Sequence, residues 1–340
     1  MNSLWSDADL SVAIVGAGMS GLACAHILRD AGCSVHLFDK GRRPGGRAST
    51  RSLEIENRRF DFDFGAQYFT ARHPDFVAQI AAWSQRGIAA RWPALGDEAW
   101  VGTPGMSAII ADQAAALDVR WSCHVQAIAR RDGRWNLHHR EDIEGPFDAL
   151  VLAIPAEQTT PLAATEDFAL ARRAAAATSQ PCWSLMLAFD MPLPIDRDVL
   201  VGDDVIAWAA RNSAKPKRSG AEAWIVHATA QWSQAHLEHQ AEDVTALLTE
   251  SFARHAGGAL APIGMRAHRW RYALSNRGGE GAYWNAQLGL GACGDWLLAP
   301  RLESAWLSGR MLAGQLLAEP PARRERPLVA RHKHAPDIAF

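Results

Sequence analysis

Three glycines near the start of the chain have a spacing that suits the binding of phosphate groups. Gly16, Gly18 and Gly21 spell G-x-G-x-x-G directly after SVAIVG, a short β-branched run over 11–16 that predicts a strand buried on both faces. In this motif the first glycine permits a tight turn, the second lets a pyrophosphate approach the backbone, and the third lets helix and strand pack closely. The pattern therefore favours dinucleotide binding over an ordinary glycine-rich turn.

The residues after the triplet supply the helix and the acid that such a site needs. Helical spacing of apolar residues predicts a helix over 19–31, with Gly32 as its C-cap, and CSVHLF over 33–38 predicts the next strand. Asp39 follows this strand directly, where its carboxylate can accept hydrogen bonds from ribose hydroxyls. Strand, helix and strand form a βαβ unit, the opening of a doubly wound sheet.

A second glycine-rich loop, KGRRPGGR over 40–47, indicates which dinucleotide to expect. A domain that binds only NAD has no need of such a loop directly after the ribose acid, whereas a flavin enzyme has. The paired glycines Gly45 and Gly46 permit close approach of the backbone to a cofactor, and Arg47 can pair with a pyrophosphate through its guanidinium group. We therefore expect FAD as the cofactor.

The overall composition excludes several other classes of protein. In 340 residues, 35 Lys and Arg against 37 Asp and Glu give a net charge of −2, which argues against a nucleic-acid partner. Five widely spaced cysteines include no C-x-x-C pair for zinc or dithiol chemistry and predict thiols in a reducing compartment. Because no apolar run approaches the roughly 18 residues of a membrane span, and the N-terminus carries acids, we expect a cytoplasmic protein without a membrane partner or a bound metal.

The order of elements along the chain predicts a discontinuous nucleotide-binding domain. The first and last apolar strands, over 11–16 and 288–293, are both typical of a parallel sheet, so the segments between them must include an insertion. Between them the patterns predict a hairpin over 51–64, a helix over 74–86, an antiparallel excursion over 119–154, strands over 182–189, 205–210 and 222–229, and a helical stretch over 231–256; a helix over 302–317 follows the last strand. The expected domains are 1–75, 102–162 and 286–318 for FAD, 76–101 and 163–285 for substrate, and 319–340 as a flexible tail.

The order of glycine triplet, acid and G-G-R resembles the flavin amine oxidase superfamily, and the resemblance covers nearly the whole chain. Its other motifs are DFGAQYF over 63–69, GTPGM over 102–106, LAIP over 152–155 and GD over 294–295 followed by ESA over 303–305. Within this superfamily the chain is more similar to bacterial renalase-like proteins, through four discriminating blocks: FGAQYFTAR over 64–72, WAARNSAKP over 208–216, WIVHATAQWS over 224–233 and HRWRYA over 268–273.

The resemblance implies an α/β fold, in which a Rossmann-like FAD-binding domain of the glutathione reductase type carries an inserted mixed α+β substrate domain. Covalent enzymes of this superfamily attach the flavin through a cysteine upstream of the closing motif. Here Cys293 lies inside that motif and the nearest upstream cysteine is Cys182, so the resemblance implies non-covalent FAD. The positions expected to contact the cofactor are Gly16, Gly18, Met19, Ser20, Gly21, Asp39, Lys40, Gly46, Arg47, Gly65, Ala66, Gln67, Val125, Ala153, Gly294, Asp295, Glu303, Ser304 and Ala305.

The activity that the resemblance implies is oxidation of isomeric dihydro-NAD(P), which carries its hydride at C2 or C6 of the nicotinamide ring. Hydride transfer to flavin N5 gives NAD(P)⁺, and reoxidation by O₂ gives hydrogen peroxide. A dihydropyridine donor has no proton that must leave with the hydride, so positioning can supply most of the catalysis without an obligatory acid or base. The side chains expected to position the substrate are Gln67, Trp270, Tyr272, His227, Arg211 and Asn212. Packing in the core would also explain the two aromatic residues and the histidine. A solvated loop would also explain Arg211 and Asn212.

Two alternatives stay open at this point. The first is an amine oxidase or desaturase of the same fold, acting on a small amine or apolar substrate. For amine oxidation, the resemblance implies a site with an aromatic cage and a lysine that faces the flavin. The chain has only four lysines, and Lys215 and Lys217 are expected in a polar loop that meets solvent or a substrate phosphate, which weakens this alternative. The second alternative is a flavin-binding redox sensor without turnover.

Overall fold

The computed structural model describes residues 10–140, 142–218, 221–276 and 278–322. The helices are α1 Met19–Asp30, α2 Pro74–Gln85, α3 Ser107–Ala114, α4 Ala156–Ala163, α5 Phe168–Ala176, α6 Ala230–Ala235, α7 Ala241–His255 and α8 Leu302–Ala318. The strands are β1 Ser11–Val15, β2 Ser34–Phe38, β3 Thr50–Ile55, β4 Arg58–Asp63, β5 Ala89–Arg91, β6 Trp100–Gly102, β7 Val119–Arg120, β8 Ala127–Arg131, β9 Arg134–His139, β10 Asp142–Phe147, β11 Ala149–Leu152, β12 Ser179–Ala188, β13 Val199–Val201, β14 Ile206–Arg211, β15 Ala223–Ala228, β16 Gly264–Ser275, β17 Ala282–Asn285 and β18 Leu290–Cys293.

The centre of the larger unit is a six-stranded sheet in the order β17-β18-β11-β1-β2-β7. All of its pairs are parallel except β17 with β18, and β1 lies between β11 and β2, with Ile14 opposite both Val151 and Leu37. The predicted βαβ opening and the return of the last apolar strand to the same sheet are therefore confirmed. Because the central strands are buried on both faces, their sequences are continuously apolar rather than alternating.

Close backbone approach fixes the helices on one face of this sheet. A Cβ atom at Gly309 of α8 would lie 2.0 Å from the carbonyl oxygen of Ser20 in α1, so only glycine lets these two helices pack at this distance. Leu22 and Leu28 of α1 and Leu312 and Leu316 of α8 are fully buried in the same core. This packing holds the N-terminal ends of α1 and α8 at the carboxyl edge of the sheet, where ligands bind in folds of this type.

The smaller unit is built on a five-stranded antiparallel sheet in the order β13-β14-β15-β12-β16. One face of this sheet packs on α7, with Trp224 against Phe252. The other face packs on the hairpin formed by β3 and β4, where Phe60 and Phe62 are buried against Met186. The predicted strands over 182–189, 205–210 and 222–229 all lie in this sheet, which places the hairpin between the two units.

Local sequence signals account for the shorter elements. The hairpin of β3 and β4 turns at Glu56 and Asn57, which both have positive φ, as a tight two-residue turn requires. The predicted antiparallel excursion is confirmed as the sheet β10-β9-β8, after which the chain enters β11. The helical stretch predicted over 231–256 is divided into α6 and α7, because the segment 236–240 leaves the helical path between them.

The predicted division into domains remains a prediction, and three segments bear on it. Helix α2 and helix α5, both assigned to the substrate domain, bury Trp83 and Leu170 in the cores of the larger unit, and β17 pairs with β18 in its sheet. Most of the predicted flexible tail, from 323 to 340, lies outside the described residues. Within the described ranges, the structure contains no helix that is long and apolar enough to cross a membrane.

Candidate functional site

The two glycine loops lie against each other at the carboxyl edge of the sheet. Gly16 has φ +105°, and a Cβ atom there would lie 2.4 Å from the carbonyl oxygen of Ala153, at the end of β11. A Cβ atom at Gly18 would meet no atom within 4 Å, whereas one at Gly46, which has φ +54°, would lie 3.9 Å from the Gly18 Cα atom. The first glycine is therefore needed for packing, and the second faces open space beside the other loop, as binding of a pyrophosphate requires.

The N-terminus of α1 suits an anion. Its N-cap is Gly18, which has no side chain to accept hydrogen bonds, and its first turn contains no acidic residue. The unpaired backbone N–H groups of the first turn, which includes Met19, Ser20 and Gly21, therefore have no side-chain cap and add to the positive end of the helix dipole. The residues present fit a bound dinucleotide at this position.

Asp39 connects the two loops. Its Oδ2 accepts a hydrogen bond from the N–H of Ala17 at 2.7 Å, and its Oδ1 accepts one from the N–H of Gly41 at 2.6 Å. Each carboxylate oxygen can accept a further bond, so the predicted contact with a ribose hydroxyl is compatible with this geometry. Lys40 beside it is exposed, and Val125 is buried next to Phe38 in the core under the loop.

A salt bridge joins the second glycine loop to the motif at the end of the chain. Arg47 donates hydrogen bonds to both carboxylate oxygens of Asp295, one of them at 2.8 Å, and a third to the carbonyl oxygen of Ala273 at 3.3 Å. Asp295 follows Gly294 at the end of β18 and is almost fully buried. Residues predicted to bind the pyrophosphate and the ribityl chain of one cofactor thus converge from positions 248 apart in the sequence.

Glu303 in the first turn of α8 has backbone partners within the protein. Its Oε1 accepts hydrogen bonds from the N–H groups of Arg72 and His73, at 2.6 and 2.7 Å. This carboxylate therefore anchors the loop before α2, and the cofactor contact predicted for it has no support in its present bonds. Ser304 and Ala305 beside it are buried in the same helical turn.

The segment 63–67 is pinned between the second glycine loop and the antiparallel sheet. The N–H of Ala66 donates to the carbonyl oxygen of Arg47 at 2.8 Å, and a Cβ atom at Gly65 would lie 2.1 Å from that oxygen. On the other side, Trp270 stacks on Phe64 with ring centroids 5.1 Å apart and donates from Nε1 to its carbonyl oxygen at 2.8 Å. The structure therefore brings the predicted residues Gly65, Ala66 and Trp270 together.

A buried polar cluster lies behind this segment; we call it the Asp63 cluster, and it comprises Asp63, Gln67, Lys215, Arg218 and His227. The Asp63 carboxylate accepts from Lys215 Nζ at 3.2 Å and from Arg218 at 2.5 Å. Lys215 also donates to Gln67 Oε1 at 2.9 Å, and Gln67 Nε2 lies 3.4 Å from His227 Nε2. The side chains of Asp63 and Lys215 are fully buried.

The pKa values of Asp63, Lys215 and His227 are all lowered in the cluster, but for different reasons. Burial would raise the pKa of Asp63, but the cations of Lys215 and Arg218 outweigh this effect and keep the pKa below its ordinary value. Burial lowers the pKa of Lys215 to about 8, against the opposing effect of Asp63. Burial and the Lys215 charge lower the pKa of His227 to about 4, so that its imidazole is neutral at physiological pH.

The position of Lys215 corrects the prediction from sequence. The loop sequence predicted a lysine that meets solvent or a substrate phosphate, but Lys215 is 2% exposed, with Nζ 5.1 Å from the ring centroid of Trp92. Trp92 in turn contacts Tyr68 and Trp208, at centroid distances of 6.4 and 6.2 Å. The folded loop turns Lys215 inward because Asp63 supplies a buried counter-charge, which local polarity could not reveal.

The other predicted substrate residues have different surroundings. Asn212 is fully buried and donates to the carbonyl oxygen of Asp61 at 2.6 Å, so it supports β4 from behind. The Arg211 guanidinium donates hydrogen bonds to Asp198, Glu222 and the carbonyl oxygen of Ile195. These contacts do not support the predicted substrate role. Tyr272 lines a separate cavity of about 310 Å³ with Arg271.

Sequence reasoning missed three members of the Asp63 cluster: Asp63, Lys215 and Arg218. Asp63 stands at the start of the DFGAQYF motif, and an acid within an alternating apolar strand was the one available signal of a buried charge. Arg218 carried no such signal, because its partner is 155 positions away in sequence.

Comparisons with known proteins agree with this architecture. Residues 14–80 match the model of the NAD(P)-binding Rossmann-like domain. Renalase of Mus musculus is 24% identical over 301 residues, covering 79% of this chain and 88% of that protein. Among solved structures, wild-type putrescine oxidase bound to putrescine has a TM-score of 0.66 at 15% identity, with 92% of this chain and 99% of that chain covered. Cyclohexylamine oxidase from Brevibacterium oxydans IH-35A has a TM-score of 0.60 at 12% identity, with 92% and 99% covered.

The fold, the glycine loops and these similarities define the class: an α/β protein with a Rossmann-like dinucleotide-binding domain, in the fold of these oxidases of known structure. Within that class the chain is renalase-like, as the sequence motifs predicted. FAD is the cofactor that the resemblance implies, and the placement of the segment 63–67 along its isoalloxazine stays a prediction.

Proposed function

We propose that the protein is an oxidase of isomeric dihydro-NAD(P), with the hydride at C2 or C6 of the nicotinamide ring, and that O₂ is its electron acceptor. The observation that carries the proposal is the similarity to Renalase over most of both chains, together with the renalase-like blocks around Phe64, Trp208 and Trp270. When bound, FAD would accept the hydride and return its electrons to O₂, giving hydrogen peroxide.

The side chains of the site favour catalysis by positioning. Oxidation of a dihydropyridine requires no proton acceptor, and His227, with a pKa of about 4, stays neutral where a cationic imidazole would repel the developing NAD(P)⁺. The stacked rings of Trp270 and Phe64 offer an apolar surface beside Gly65 on which a flat ring can be held. These residues would orient the substrate and exclude water from the transfer.

Anaerobic bleaching of the flavin tests this proposal. Purified yellow protein would be mixed separately with 1,2- and 1,6-dihydro-NAD(P), with authentic 1,4-NAD(P)H and with a panel of primary amines. We expect rapid bleaching by one dihydro isomer, with the amines and the 1,4 form inert. Slow or absent bleaching by both isomers would overturn the proposal, and no bleaching by any compound would favour the redox sensor.

The buried lysine supports a second candidate, oxidation of a small amine. Lys215 lies beside Trp92, and Trp92 contacts Tyr68 and Trp208. The site therefore contains a buried lysine next to aromatic side chains, which are the residue types that amine oxidation implies. Bleaching by an amine alone in the same experiment would favour this candidate. The contacts of Lys215 with Asp63 and Gln67 weigh against it, because they direct the ammonium into the protein.

A further inference from the structure

Lys215 determines which way the amide of Gln67 points. An ammonium group has donors only, so the amide atom 2.9 Å from Nζ must be the acceptor Oε1. The amide nitrogen is thereby directed to the opposite side, where it donates to the carbonyl oxygens of Asp63 and Gly65, the latter at 3.1 Å. One buried cation therefore fixes two contacts with the backbone of the segment 63–67.

The same orientation extends to His227. Gln67 Nε2 lies 3.4 Å from His227 Nε2, and one of its two N–H groups can be shared between this ring nitrogen and a carbonyl oxygen. Since an amide nitrogen only donates, His227 Nε2 is the acceptor in this contact, as in a neutral imidazole. The hydrogen bond of His227 with the Phe64 backbone is then made by the opposite side of the ring. Phe64 also receives the Trp270 Nε1 bond, so its peptide group is held from two strands of the antiparallel sheet.

Asp63 anchors the chain of bonds at its other end. Its carboxylate is held by Thr50 Oγ1 at 2.7 Å and by the N–H of Met106 at 2.9 Å, as well as by Arg218. The charged or titratable groups that face Lys215 are thus Asp63 from β4, Arg218 from the same loop, and His227 from β15. The lowered pKa of Asp63 keeps this carboxylate ionised near neutral pH, and the lowered pKa of His227 keeps its imidazole neutral there. Lys215, with a pKa of about 8, is the member that changes charge in mildly alkaline solution.

We propose that Lys215 is a positioning residue for the cofactor: its ammonium fixes the Gln67 amide, and through it the backbone of residues 63–67, only while Lys215 is protonated. The proposal rests on the proposed function only through its cofactor, FAD, and on the predicted position of FAD along this segment. It does not depend on the substrate. Loss of the ammonium would free the amide to rotate and would loosen the wall of the cofactor site.

Hydrogen exchange of the substrate-free holoenzyme tests the path of the effect. The variants are Lys215→Met, Gln67→Met and the double variant, with Lys217→Met as the matched control at an exposed lysine two positions away. We expect the amides of 64–66 to exchange at least about tenfold faster than in wild type in both single variants, because local opening sets these rates. The double variant should exchange no faster than either single variant, because both substitutions break the same chain of hydrogen bonds. Unchanged exchange in Lys215→Met, or additive effects in the double variant, would overturn the proposal.

A pH titration supplies a measurement that needs no variant. The FAD dissociation constant of the wild-type protein, followed by flavin fluorescence from pH 7 to pH 9, should rise about tenfold with a midpoint near the Lys215 pKa of about 8. Lys217→Met should keep this profile, and Lys215→Met should show weak, pH-independent binding. A flat wild-type profile would contradict the proposal. Because no substrate is present, the result is independent of whether a dihydro isomer or an amine bleaches the flavin.

Discussion

The glycine loops and the Asp63 cluster face the same predicted cofactor but are built in different ways. In the loops, the decisive atoms belong to the backbone, and their positions follow from glycines spaced two and three residues apart. In the cluster, the decisive atoms are charged side chains, and Asp63 meets Lys215 from 152 positions away. The comparison separates a site that local sequence specifies from one that only the assembled fold creates.

The energetics of the two regions differ as well. A glycine loop needs little buried charge, because its helix N-terminus offers N–H groups to a ligand that brings the negative charge. The Asp63 cluster holds one carboxylate and two cations with side chains at most 1% exposed, so its stability depends on pairing each charge within the protein. We therefore expect the loops to be most sensitive to added atoms and the cluster to removed ones.

The largest expected effect comes from adding one methyl group to the loop. In Gly21→Ala the new Cβ would lie 2.0 Å from the carbonyl oxygen of Gly16, which must shift and separate helix from strand. We expect FAD affinity to fall at least about 100-fold, with partial loss of soluble protein. Gly18→Ala is the matched control, because its Cβ meets no protein atom within 4 Å.

Gly18→Ala should leave the unfolding midpoint of the apoprotein unchanged while weakening FAD binding measured by fluorescence titration. This separation of stability from affinity would identify the open space beside Gly18 as the place where the cofactor approaches the backbone. Equal loss of stability in both variants would mean that the loop glycines serve folding alone.

Removing the charge of Asp63 should give the next largest effect. Asp63→Asn keeps the shape of the side chain but leaves Lys215 and Arg218 without a buried counter-charge, which we expect to cost about 3–5 kcal/mol of unfolding free energy. Urea unfolding at pH 7 measures this loss. Glu238→Gln breaks the exposed pair with Arg271 and should leave the midpoint unchanged; an equally small effect of Asp63→Asn would show that the cluster is not energetically distinct.

These two regions also show what could be predicted from sequence. The βαβ opening, the hairpin at Asn57 and the discontinuous sheet were predictable because each depends on periodicity or turn chemistry within a few residues. The inward Lys215 was not, since the polar sequence around it is the same whether the loop faces water or a buried acid. Arg211 shows the opposite case: its position in a polar loop predicted either a substrate contact or solvent, whereas Asp198 and Glu222 bind it within the protein, and its role toward substrate stays a prediction.

The region around His227, between the two units, is called the junction here. Acid should weaken this junction more than the glycine loops. The pKa of His227 falls from its usual 6.5 to about 4 in the folded protein, so the unfolded chain takes up the proton first as the pH decreases. The contribution of His227 to stability is therefore constant above about pH 6.5 and decreases from there to about pH 4. The loss from this residue is at most about 3–4 kcal/mol, and less because His227 is only half-buried.

His227→Gln should reduce the slope of unfolding free energy against pH between 6.5 and 4, measured by urea titration at several pH values. A residual slope should remain, because burial and nearby arginines also lower the pKa of His268 to about 4. The same slope in wild type and variant would show that His227 titrates normally and is not enclosed by the cluster.

The smallest expected effect concerns a hydroxyl at the same junction. Ser184 lies on β12 opposite His227 of β15 and His268 of β16, and its Oγ is buried without a hydrogen-bond partner among the described residues. Removing an unpaired polar atom relieves the cost of its burial, so Ser184→Ala should unfold at the same urea concentration as wild type or be stabilised by up to about 1 kcal/mol. The comparison is with Thr50→Val, which removes a hydroxyl that donates to Asp63 at 2.7 Å and should destabilise the protein by about 1 kcal/mol. If Ser184→Ala is as destabilising as Thr50→Val, the Ser184 hydroxyl has a bound partner in the folded protein, and the polar junction extends beyond the Asp63 cluster.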